Sequence, residues 1–475
     1  MALNVVVMAA GKGTRMKSAS PKVLHRLAGR SLLQHVLDAA AQLSPGDTAN
    51  RTVVITGHGA EAVEAACARS GAGSGAGSGA GSGAVFARQM PQLGTGHAIQ
   101  QAVPHLDDSH ATTLILNGDV PLVRTETLRA LLAASAGERL ALLTVTLVNP
   151  AGYGRIVRTG DQAGGHVRAI VEHKDASHAQ LAIHEVYTGI LAAPTAALKR
   201  WVMALQDNNA QREFYLTDIV AMAVAEGLAV TSAQAGSETE VLGVNSPHQL
   251  AELERRHQAD IANALMDAGV RLADPARLDV RGSLVCGRDV EIDVNCVFEG
   301  TVTLADNVKV GANCVIRGAS VGAGAVIHPF THIEGAQVGP GALVGPFARL
   351  RPGAVLGEEV HIGNFVEVKN STLARGAKAN HLAYLGDATV GERVNFGAGS
   401  ITANYDGANK HRTVIGNDVH VGSNCVLVAP ITLGDGATIG GGSTLSKDAP
   451  AGQLTVARAK QVNLPGWTRP RKLAR

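Results

Sequence analysis

Residues 280–316 read VRGSLVCGRDVEIDVNCVFEGTVTLADNVKVGANCVI, and this stretch places an apolar residue at every sixth position. The apolar positions are Val280, Cys286, Ile292, Phe298, Leu304, Val310 and Ile316. A sustained period of six is typical of a parallel β-helix, in which each hexad contributes one short strand and one turn. The register slips by one residue at Val321 and continues to about Leu445. Three hexads form one triangular coil of about eighteen residues, so the pattern predicts a prism of roughly nine coils.

Composition restricts the classes of partner. A chain of 475 residues is long enough for two or three domains. Because 42 basic residues nearly balance 40 acidic ones, no bulk charge favours nucleic acid or a membrane surface. No signal peptide opens the chain, and no apolar run approaches the roughly eighteen residues needed to cross a bilayer. We therefore expect a cytoplasmic protein with small anionic substrates, which binds neither nucleic acid nor membranes.

The N-terminal half has a different pattern. An apolar strand at residues 3–10 leads into a glycine-rich turn at residues 11–16, and an amphipathic helix follows at about residues 31–41. Further strands are expected at residues 52–56, 84–89, 113–116 and 140–148. Strands that alternate with helices in this way predict a doubly wound, Rossmann-like α/β sheet.

Composition also indicates where the domains meet. Ser246 followed by Pro247 is a strong helix start, and apolar residues at helical spacing follow it among charges. We predict a first domain over residues 1–246, a linker helix over residues 247–269 and a β-helical domain over residues 270–475. The Gly-Ala-Gly-Ser tract at residues 71–84 has no side chain suited to chemistry, and we interpret it as an inserted flexible loop.

The glycine-rich turn has limited meaning by itself. It lacks the Gly-Lys-Ser/Thr ending of a P-loop and the third glycine of a dinucleotide fingerprint. Its backbone N–H groups, with Arg15 and Lys22 as cations, nevertheless suit a nucleoside triphosphate whose α-phosphorus is attacked. A bare Gly-x-Gly is weak evidence for a phosphate site.

Several motifs, in order along the chain, resemble those of a known family. MAAGKGTRM at residues 8–16, with Pro21-Lys22, resembles the signature of sugar-1-phosphate nucleotidyltransferases. The resemblance is narrowed by QLGTGHA at residues 92–98, NGDVP at 117–121, GYGRI at 152–156, VEHKD at 171–175 and GVN at 243–245. With the C-terminal hexads, these motifs resemble the bacterial bifunctional N-acetylglucosamine-1-phosphate uridyltransferases and glucosamine-1-phosphate N-acetyltransferases. That family implies a left-handed β-helix of hexapeptide repeats behind the nucleotidyltransferase domain.

The resemblance implies a uridyltransferase site in the first domain. Lys22 and the loop would hold the phosphates of UTP, and Gln89 with the pair at residues 94–95 would read uracil. Asp119 and Asn245 would hold Mg²⁺, a cation that prefers oxygen ligands. The implied set for UTP and UDP-N-acetylglucosamine is Met8, Ala9, Ala10, Gly11, Arg15, Lys22, Gln89, Gly94, Thr95, Asn117, Gly118, Asp119, Gly154, Glu172, Tyr187 and Asn245. Tyr187 departs from the family, which usually has Asn before Thr-Gly at this place.

The resemblance also implies an acetyltransferase site on the prism, shared between the subunits of a homotrimer. His381 is the implied general base, which removes a proton as the sugar amine attacks the thioester of acetyl-CoA. The implied ligands of glucosamine 1-phosphate are Arg351, Lys369, Tyr384, Asn395, Asn404 and Tyr405. The implied contacts of acetyl-CoA are Ala398, Ser423, Gly441 and Arg458. The hexad register breaks at residues 403–413, and a loop that interrupts a solenoid often lines a site.

The implied activity is the synthesis of UDP-N-acetylglucosamine, a precursor of peptidoglycan and lipopolysaccharide, from acetyl-CoA, UTP and glucosamine 1-phosphate. One alternative is another sugar-1-phosphate nucleotidyltransferase, such as an ADP-glucose or dTDP-glucose pyrophosphorylase, with a structural hexapeptide tail. A second is a non-catalytic assembly or regulatory subunit. A metal-binding prism would need three histidines converging from adjacent coils, and the prism histidines do not repeat at the coil period.

Overall fold

The computed structural model describes residues 3–43, 50–70, 83–159, 165–209 and 211–471. The chain divides into two compact units, Met1–His257 and Gln258–Arg475. The division falls within a 21-residue helix, Pro247–Asp267, in the region where the linker helix is expected. The three domain boundaries expected from the sequence stay a prediction. Most of the Gly-Ala-Gly-Ser tract, residues 71–82, lies outside the described residues.

The first unit is built on a nine-stranded mixed sheet. Its strands are β1 (Asn4–Met8), β2 (Arg51–Thr56), β3 (Val85–Arg88), β4 (Thr112–Asn117), β5 (Leu140–Thr146), β6 (Arg155–Arg158), β7 (Val167–Val171), β8 (Glu185–Pro194) and β9 (Val230–Gln234). The main path is β9-β5-β8-β4-β1-β2-β3, and β6 pairs with both β8 and β7. Strand β8 runs antiparallel to β4 and β5, whereas β1 is parallel to both of its neighbours.

Helices cover both faces of this sheet. They are α1 (Leu32–Ala41), α2 (Ala60–Ser70), α3 (Thr95–Ala102), α4 (Thr125–Ser135), α5 (His178–Leu181), α6 (Thr195–Ala204), α7 (Ile219–Ala225) and α8 (Pro247–Asp267). The central strand β1 sends Val5 and Val7 into one buried cluster and Val6 into another. A central parallel strand is apolar throughout because it is buried on both faces. The doubly wound α/β architecture expected from the sequence is confirmed.

The second unit is a parallel β-helix, as the hexad pattern predicts. An 11-stranded sheet forms one face, here face A, and a 17-stranded sheet forms the other two, faces B and C. Face A contains Arg271–Leu272, Glu291–Ile292, Lys309–Val310, Val326–Ile327, Leu343–Val344, His361–Asn364, Lys378–His381, Asn395–Phe396, His420–Val421, Thr438–Ile439 and Leu454–Thr455. Two long strands, Leu278–Cys286 and Cys296–Leu304, pass along both face B and face C.

The remaining strands divide between two columns of parallel pairs. Face B continues with Val315–Arg317, His332–Glu334, Arg349–Leu350, Glu367–Lys369, Tyr384–Gly386, Ile401–Ala403, Val426–Val428 and Thr444–Leu445. Face C continues with Ser320–Val321, Gln337–Val338, Val355–Leu356, Thr372–Leu373, Ala388–Val390, Thr413–Ile415 and Ile431–Leu433. Partner residues lie 18 apart at Leu278 and Cys296 and 17 apart at His332 and Arg349, which explains the slips in the hexad register. The predicted inward positions are buried, except that Cys286 is half-buried.

Residues in the left-handed backbone region mark the three corners of the prism. The first corner, between faces A and B, contains Asn295, Asn313, Phe330, Phe347, Phe365, Leu382, Gly399, Asn424 and Gly442. The second corner, between faces B and C, contains Gly282, Gly300, Gly318, Gly335, Gly353, Asn370 and Asp387. The third corner, between faces C and A, contains Asp289, Asn307, Gly324, Gly341, Glu359, Gly376, Arg393, Asp418, Gly436 and Gly452. Among the described helices of both units, none has the length and apolarity that a bilayer crossing requires.

Candidate functional site

A cavity of about 540 Å³ lies in the first unit, where strands β1, β3 and β4 end. The carboxyl ends of parallel strands meet at one edge of a sheet, and this edge is where α/β proteins bind ligands. The predicted residues that line the cavity are Met8, Ala9, Ala10, Gly11, Arg15, Lys22, Gln89, Gly94, Thr95, Asn117, Asp119 and Asn245. The sequence analysis missed Lys12, Gly13, Thr14, Val23, Gln92, Ala98 and Glu213, which also line it.

The glycine-rich loop is shaped by the close approach of Lys22. Gly13 has φ 59°, and a Cβ at this position would lie 2.7 Å from Lys22 Cβ. No L side chain fits without displacing that lysine, so the loop needs glycine here. Gln92 donates from its side-chain amide to the carbonyl oxygen of Ala10, which fixes the start of the loop.

Lys22 joins the two predicted metal ligands. Its Nζ atom lies 2.5 Å from Asp119 Oδ2 and 3.0 Å from Asn245 Oδ1. Both acceptors are oxygen atoms, which suit a hard cation such as Mg²⁺, and a positive charge already lies between them. The donor set therefore fits the implied metal. No group of three or more His, Cys, Asp or Glu side chains suited to a metal occurs in the described part of the chain.

Gln89 is buried and has a fixed orientation. Its Nε2 atom donates to the carbonyl oxygen of Gly94 at 2.9 Å and lies 3.3 Å from His97 Nδ1. Because a carbonyl oxygen can only accept, the amide N–H groups must face Gly94 and His97. This leaves Gln89 Oε1, an acceptor, to face a ligand. The hydroxyl of Thr95 accepts from the backbone N–H of Leu216 at 3.1 Å, so it serves to hold the start of α3.

Three predicted sugar contacts form a second cluster, which is not part of the cavity wall. Tyr187 N donates to Gly154 O at 2.9 Å, and a Cβ at Gly154 would lie 3.6 Å from each carboxylate oxygen of Glu172. Glu172 accepts from the hydroxyl of Thr217 at 3.2 Å. Burial raises the pKa of Glu172 above its ordinary value. Gly118 is also absent from the wall, and its N–H donates to Met8 O at 3.0 Å.

The Tyr187 side chain is more deeply buried than a ligand contact requires. It is 8% exposed, and its hydroxyl has no hydrogen-bond partner among the described residues. Burial, with a smaller effect from the charge of Glu172, raises the pKa of this phenol. A buried hydroxyl without a partner is destabilising, so this position is a local imperfection of the fold.

Part of the second predicted site lies at the second corner of the β-helix. Arg351 forms an ion pair with Glu367 at 2.8 Å. The neighbouring Lys410 ammonium lowers the pKa of Lys369, because two like charges are close together. Asp387 accepts from the side-chain amide of Asn404 in the same group. Three cations around one carboxylate suit a bound phosphate, and Lys410 was missed because it lies in the loop that interrupts the hexads.

The sugar-binding candidates lie beside these charges. A Cβ at Gly386 would lie 2.3 Å from the Tyr384 hydroxyl and 2.8 Å from Asn404 Nδ2, so these two polar groups are near each other and Gly386 leaves room for them. Tyr405 is exposed, forms a bridge with Lys410 and donates from its hydroxyl to Gly407 O at 2.6 Å.

The rest of the predicted site lies at or beside the first corner. His381 Nδ1 lies 2.8 Å from Asn364 Oδ1, an acceptor, which places the proton on Nδ1 and leaves Nε2 as a base. Backbone bonds connect the coils beyond His381, from Asn424 N to Ala398 O and from Gly442 N to Ser423 O, both at 2.8 Å. Arg458 donates to Gly441 O at 2.6 Å. Asn395 lies on face A, with its amide 3.1 Å from His420 Nδ1.

The two groups lie at opposite ends of face B. His381 precedes the first corner, and Gly386, which pairs with Lys369, lies at the second. Five residues of extended chain separate them, about 16 Å. The structure therefore brings Arg351, Lys369 and Asn404 together at one corner, and His381 with the residues implied for acetyl-CoA at the other. Asn364 could have been found from the sequence, because it lies 17 residues, one coil, before His381.

Comparisons with known proteins cover nearly the whole chain. The MobA-like NTP transferase domain family matches residues 5–215, and the GMPPB C-terminal domain family matches residues 280–364 and 335–437. A protein named bifunctional protein GlmU from Methylibium petroleiphilum is 71% identical over 470 residues, which cover 99% of each chain. The protein of the same name from Polaromonas naphthalenivorans is 68% identical over 475 residues, which cover 99% of this chain and 98% of that one.

A third relative of that name, from a Janthinobacterium species, is 58% identical over 471 residues, which cover 99% of this chain and 100% of that one. Among solved structures, the apo form of a UDP-glucose pyrophosphorylase matches 55% of this chain and 100% of its own at 15% identity. Its TM-score of 0.44 is too low to carry an argument.

Proposed function

Because this chain belongs to the family of the bifunctional GlmU proteins, we propose that it makes UDP-N-acetylglucosamine in two steps at two separate sites. The first step transfers an acetyl group from acetyl-CoA to glucosamine 1-phosphate on the β-helix. The second transfers a uridyl group from UTP to N-acetylglucosamine 1-phosphate in the first unit and releases pyrophosphate. The observation that carries the proposal is the presence of both sets of polar residues on one chain. Since UTP and acetyl-CoA are cytoplasmic metabolites, we place the activity in the cytoplasm.

The uridyltransferase site works by positioning and charge neutralisation. Backbone N–H groups of the glycine-rich loop, with Arg15 and Lys22, bind the phosphates of UTP. Gln89 Oε1 accepts from the N3–H of uracil. A phosphate oxygen of the sugar substrate attacks the α-phosphorus of UTP in line, the bond to the β-phosphate breaks, and pyrophosphate leaves. No covalent enzyme intermediate is needed.

Asp119 and Asn245 are the proposed ligands of Mg²⁺ at this site. Their oxygens already face one positive charge, the Lys22 ammonium. When bound, the metal neutralises phosphate charge that would otherwise repel the attacking oxygen. Lys22 then has to leave both oxygens, and the triphosphate is the anion nearest to receive it.

The acetyltransferase site works by proton removal. His381 Nε2 takes a proton from the amine of glucosamine 1-phosphate as the nitrogen attacks the thioester carbon, and CoA leaves as the thiol. Asn364 holds the ring through Nδ1. Arg351, Lys369 and Lys410 bind the sugar phosphate, and Tyr384 with Asn404 orients the ring. Ser423 donates to the developing oxyanion.

We also propose that this site is completed by a second subunit in a homotrimer. The support is the division of the residues between two corners about 16 Å apart, because one sugar phosphate is too short to reach both. Co-expression of His381→Ala with Arg351→Ala chains tests this idea. In mixed trimers, about a quarter of the shared sites would pair two intact residues, so acetyl transfer should return. A mixture that stays as inactive as either variant alone would contradict a shared site.

The test of the whole function is mass spectrometry of the purified protein with glucosamine 1-phosphate, acetyl-CoA, UTP and Mg²⁺, and with each component omitted in turn. UDP-N-acetylglucosamine should form only in the complete mixture. Uridyl transfer without acetyl transfer would favour a nucleotidyltransferase with a structural tail. Failure of both reactions would favour an assembly or regulatory protein.

A further inference from the structure

The first corner of the β-helix presents four large apolar side chains to solvent in succession. Phe330, Phe347, Phe365 and Leu382, here called the apolar ladder, are 50%, 47%, 57% and 62% exposed. The rings of Phe330 and Phe347 stack with their centroids 4.9 Å apart, and those of Phe347 and Phe365 lie 5.4 Å apart. The ladder is therefore one continuous surface rather than four scattered residues.

The backbone at the ladder is unfavourable for these residue types. The φ angles of its four members are 60°, 56°, 57° and 49°, in the left-handed region that bulky side chains avoid. Elsewhere on the same corner, the equivalent residues are Asn or Gly, which adopt this conformation readily. At the other two corners, within the described residues of the second unit, they are Gly, Asn, Asp, Glu359 and Arg393. The turn itself does not require a phenylalanine.

Two unfavourable features thus coincide at each ladder residue, a strained backbone and an exposed apolar side chain. Strain of this kind persists where another interaction compensates for it. A continuous exposed apolar surface on a folded protein marks a contact with another molecule. The contacts of the ladder within its own chain leave about half of each side chain in solvent.

The position of the ladder indicates which molecule covers it. Leu382 directly follows His381, the proposed base, whereas the proposed phosphate ligands Arg351 and Lys369 lie at the second corner. His381 therefore needs a second corner that its own chain does not bring to it. A second copy of this chain has that corner.

We propose that the apolar ladder is the docking surface for a second copy of this chain, whose second corner packs against it and brings Arg351 and Lys369 to His381. This inference rests on the proposed acetyltransferase function. The contact joins two different corners, so it is heterologous, and a ring of three copies closes it. If the prism axes are parallel, coils of equal height meet, and Lys369 and Arg351 then lie one and two coils, about 5 and 10 Å, from the level of His381.

The test is a triple variant, Phe330→Asn, Phe347→Asn and Phe365→Asn, in the full chain. Asn suits the left-handed backbone, so the variant should fold. Light scattering after size exclusion should give the wild type a mass three times the 48.8 kDa of one chain, and the variant the mass of one chain. Acetyl transfer should fall at least about 100-fold, whereas uridyl transfer should stay within about twofold, because that site lies in the other unit.

A matched control is Glu359→Asn, which makes the same change at the third corner, where φ is 56°. It should leave both mass and acetyl transfer unchanged. A triple variant that stays trimeric would overturn the ladder as the contact and leave the proposed function intact. A monomeric wild type with full acetyl transfer would overturn both the ladder and the shared site. A trimeric wild type without acetyl transfer would instead refute the function, and the mass of the variant would still decide the ladder.

Discussion

The ammonium of Lys22 lies 2.5 Å from Asp119 Oδ2, in the place where a metal ligand would otherwise meet its cation. We predict that Lys22→Met lowers the Mg²⁺ concentration needed for half-maximal binding, because no ammonium has to leave first. The turnover number of uridyl transfer should nevertheless fall by roughly 100-fold, since a phosphate ligand is lost. Mn²⁺ titration followed by electron paramagnetic resonance measures the first effect, and initial rates measure the second.

Lys12→Met is the matched control for that experiment, because Lys12 lines the same cavity without a recorded bond to Asp119. It should leave metal affinity unchanged. Tighter metal binding in both variants would mean that general charge, and not the bridge to Asp119, sets the affinity.

Tyr187→Phe should stabilise the protein by about 1 kcal/mol, since it removes a buried hydroxyl that has no partner among the described residues. Thermal unfolding at pH 7 measures this change. The KM values for UTP and for the sugar phosphate should stay the same. Tyr187→Asn, which restores the usual residue of the family, should change the sugar-phosphate KM more than the UTP KM. A large rise in the sugar-phosphate KM with Phe would show that the hydroxyl does contact the sugar.

His97→Leu should raise the KM for UTP about 5- to 10-fold with little change in turnover number, because Gln89 loses one of the two acceptors that orient its amide. The preference for UTP over CTP should fall, since a rotated amide offers a donor in place of Oε1. Steady-state kinetics with both nucleotides provide the measurement. Equal losses with UTP and CTP would indicate a merely structural role.

Glu172→Gln should raise thermal stability at pH 7 and weaken sugar-phosphate binding. Burial raises the pKa of this carboxyl in the folded state, so its ionised form opposes folding at neutral pH. The gain from Gln should shrink as the pH falls through the raised folded pKa, and it should vanish below the ordinary carboxyl pKa. Melting curves from pH 7 to pH 4 check the sign. A gain that grows toward acid pH would refute the assignment.

Asn364→Leu should lower the rate of acetyl transfer by about tenfold and spare uridyl transfer, because His381 loses the acceptor 2.8 Å from its Nδ1 atom. Asn364→Asp keeps an acceptor and adds a negative charge, so it should restore much of the rate and move the acid limb of the pH profile upward. An Asp variant as slow as the Leu variant would argue that Asn364 only supports the coil.

The fold followed closely from the sequence, and the site only in part. The hexads placed the inward residues correctly because a coil of fixed length imposes one period on every strand, and Cys286, half-buried, was the exception. The expected strand at residues 140–148 ends at Thr146. Lys410 could not be found, because it lies in a loop that follows no period. The burial of Tyr187 depends on packing between distant segments, which no local pattern reports.

One coil of the β-helix is longer than the others. Ile401 pairs with Val426, 25 residues further on, where the other coils take 17 or 18 residues, yet the strands on either side remain in register on all three faces. The excess is confined to the loop between Ala403 and Thr413. Each coil aligns on its neighbour and not on a distant part of the chain, so length can change at a corner without disturbing the rest. That corner is therefore a natural place to graft a reporter peptide, or for evolution to elaborate a substrate-binding loop.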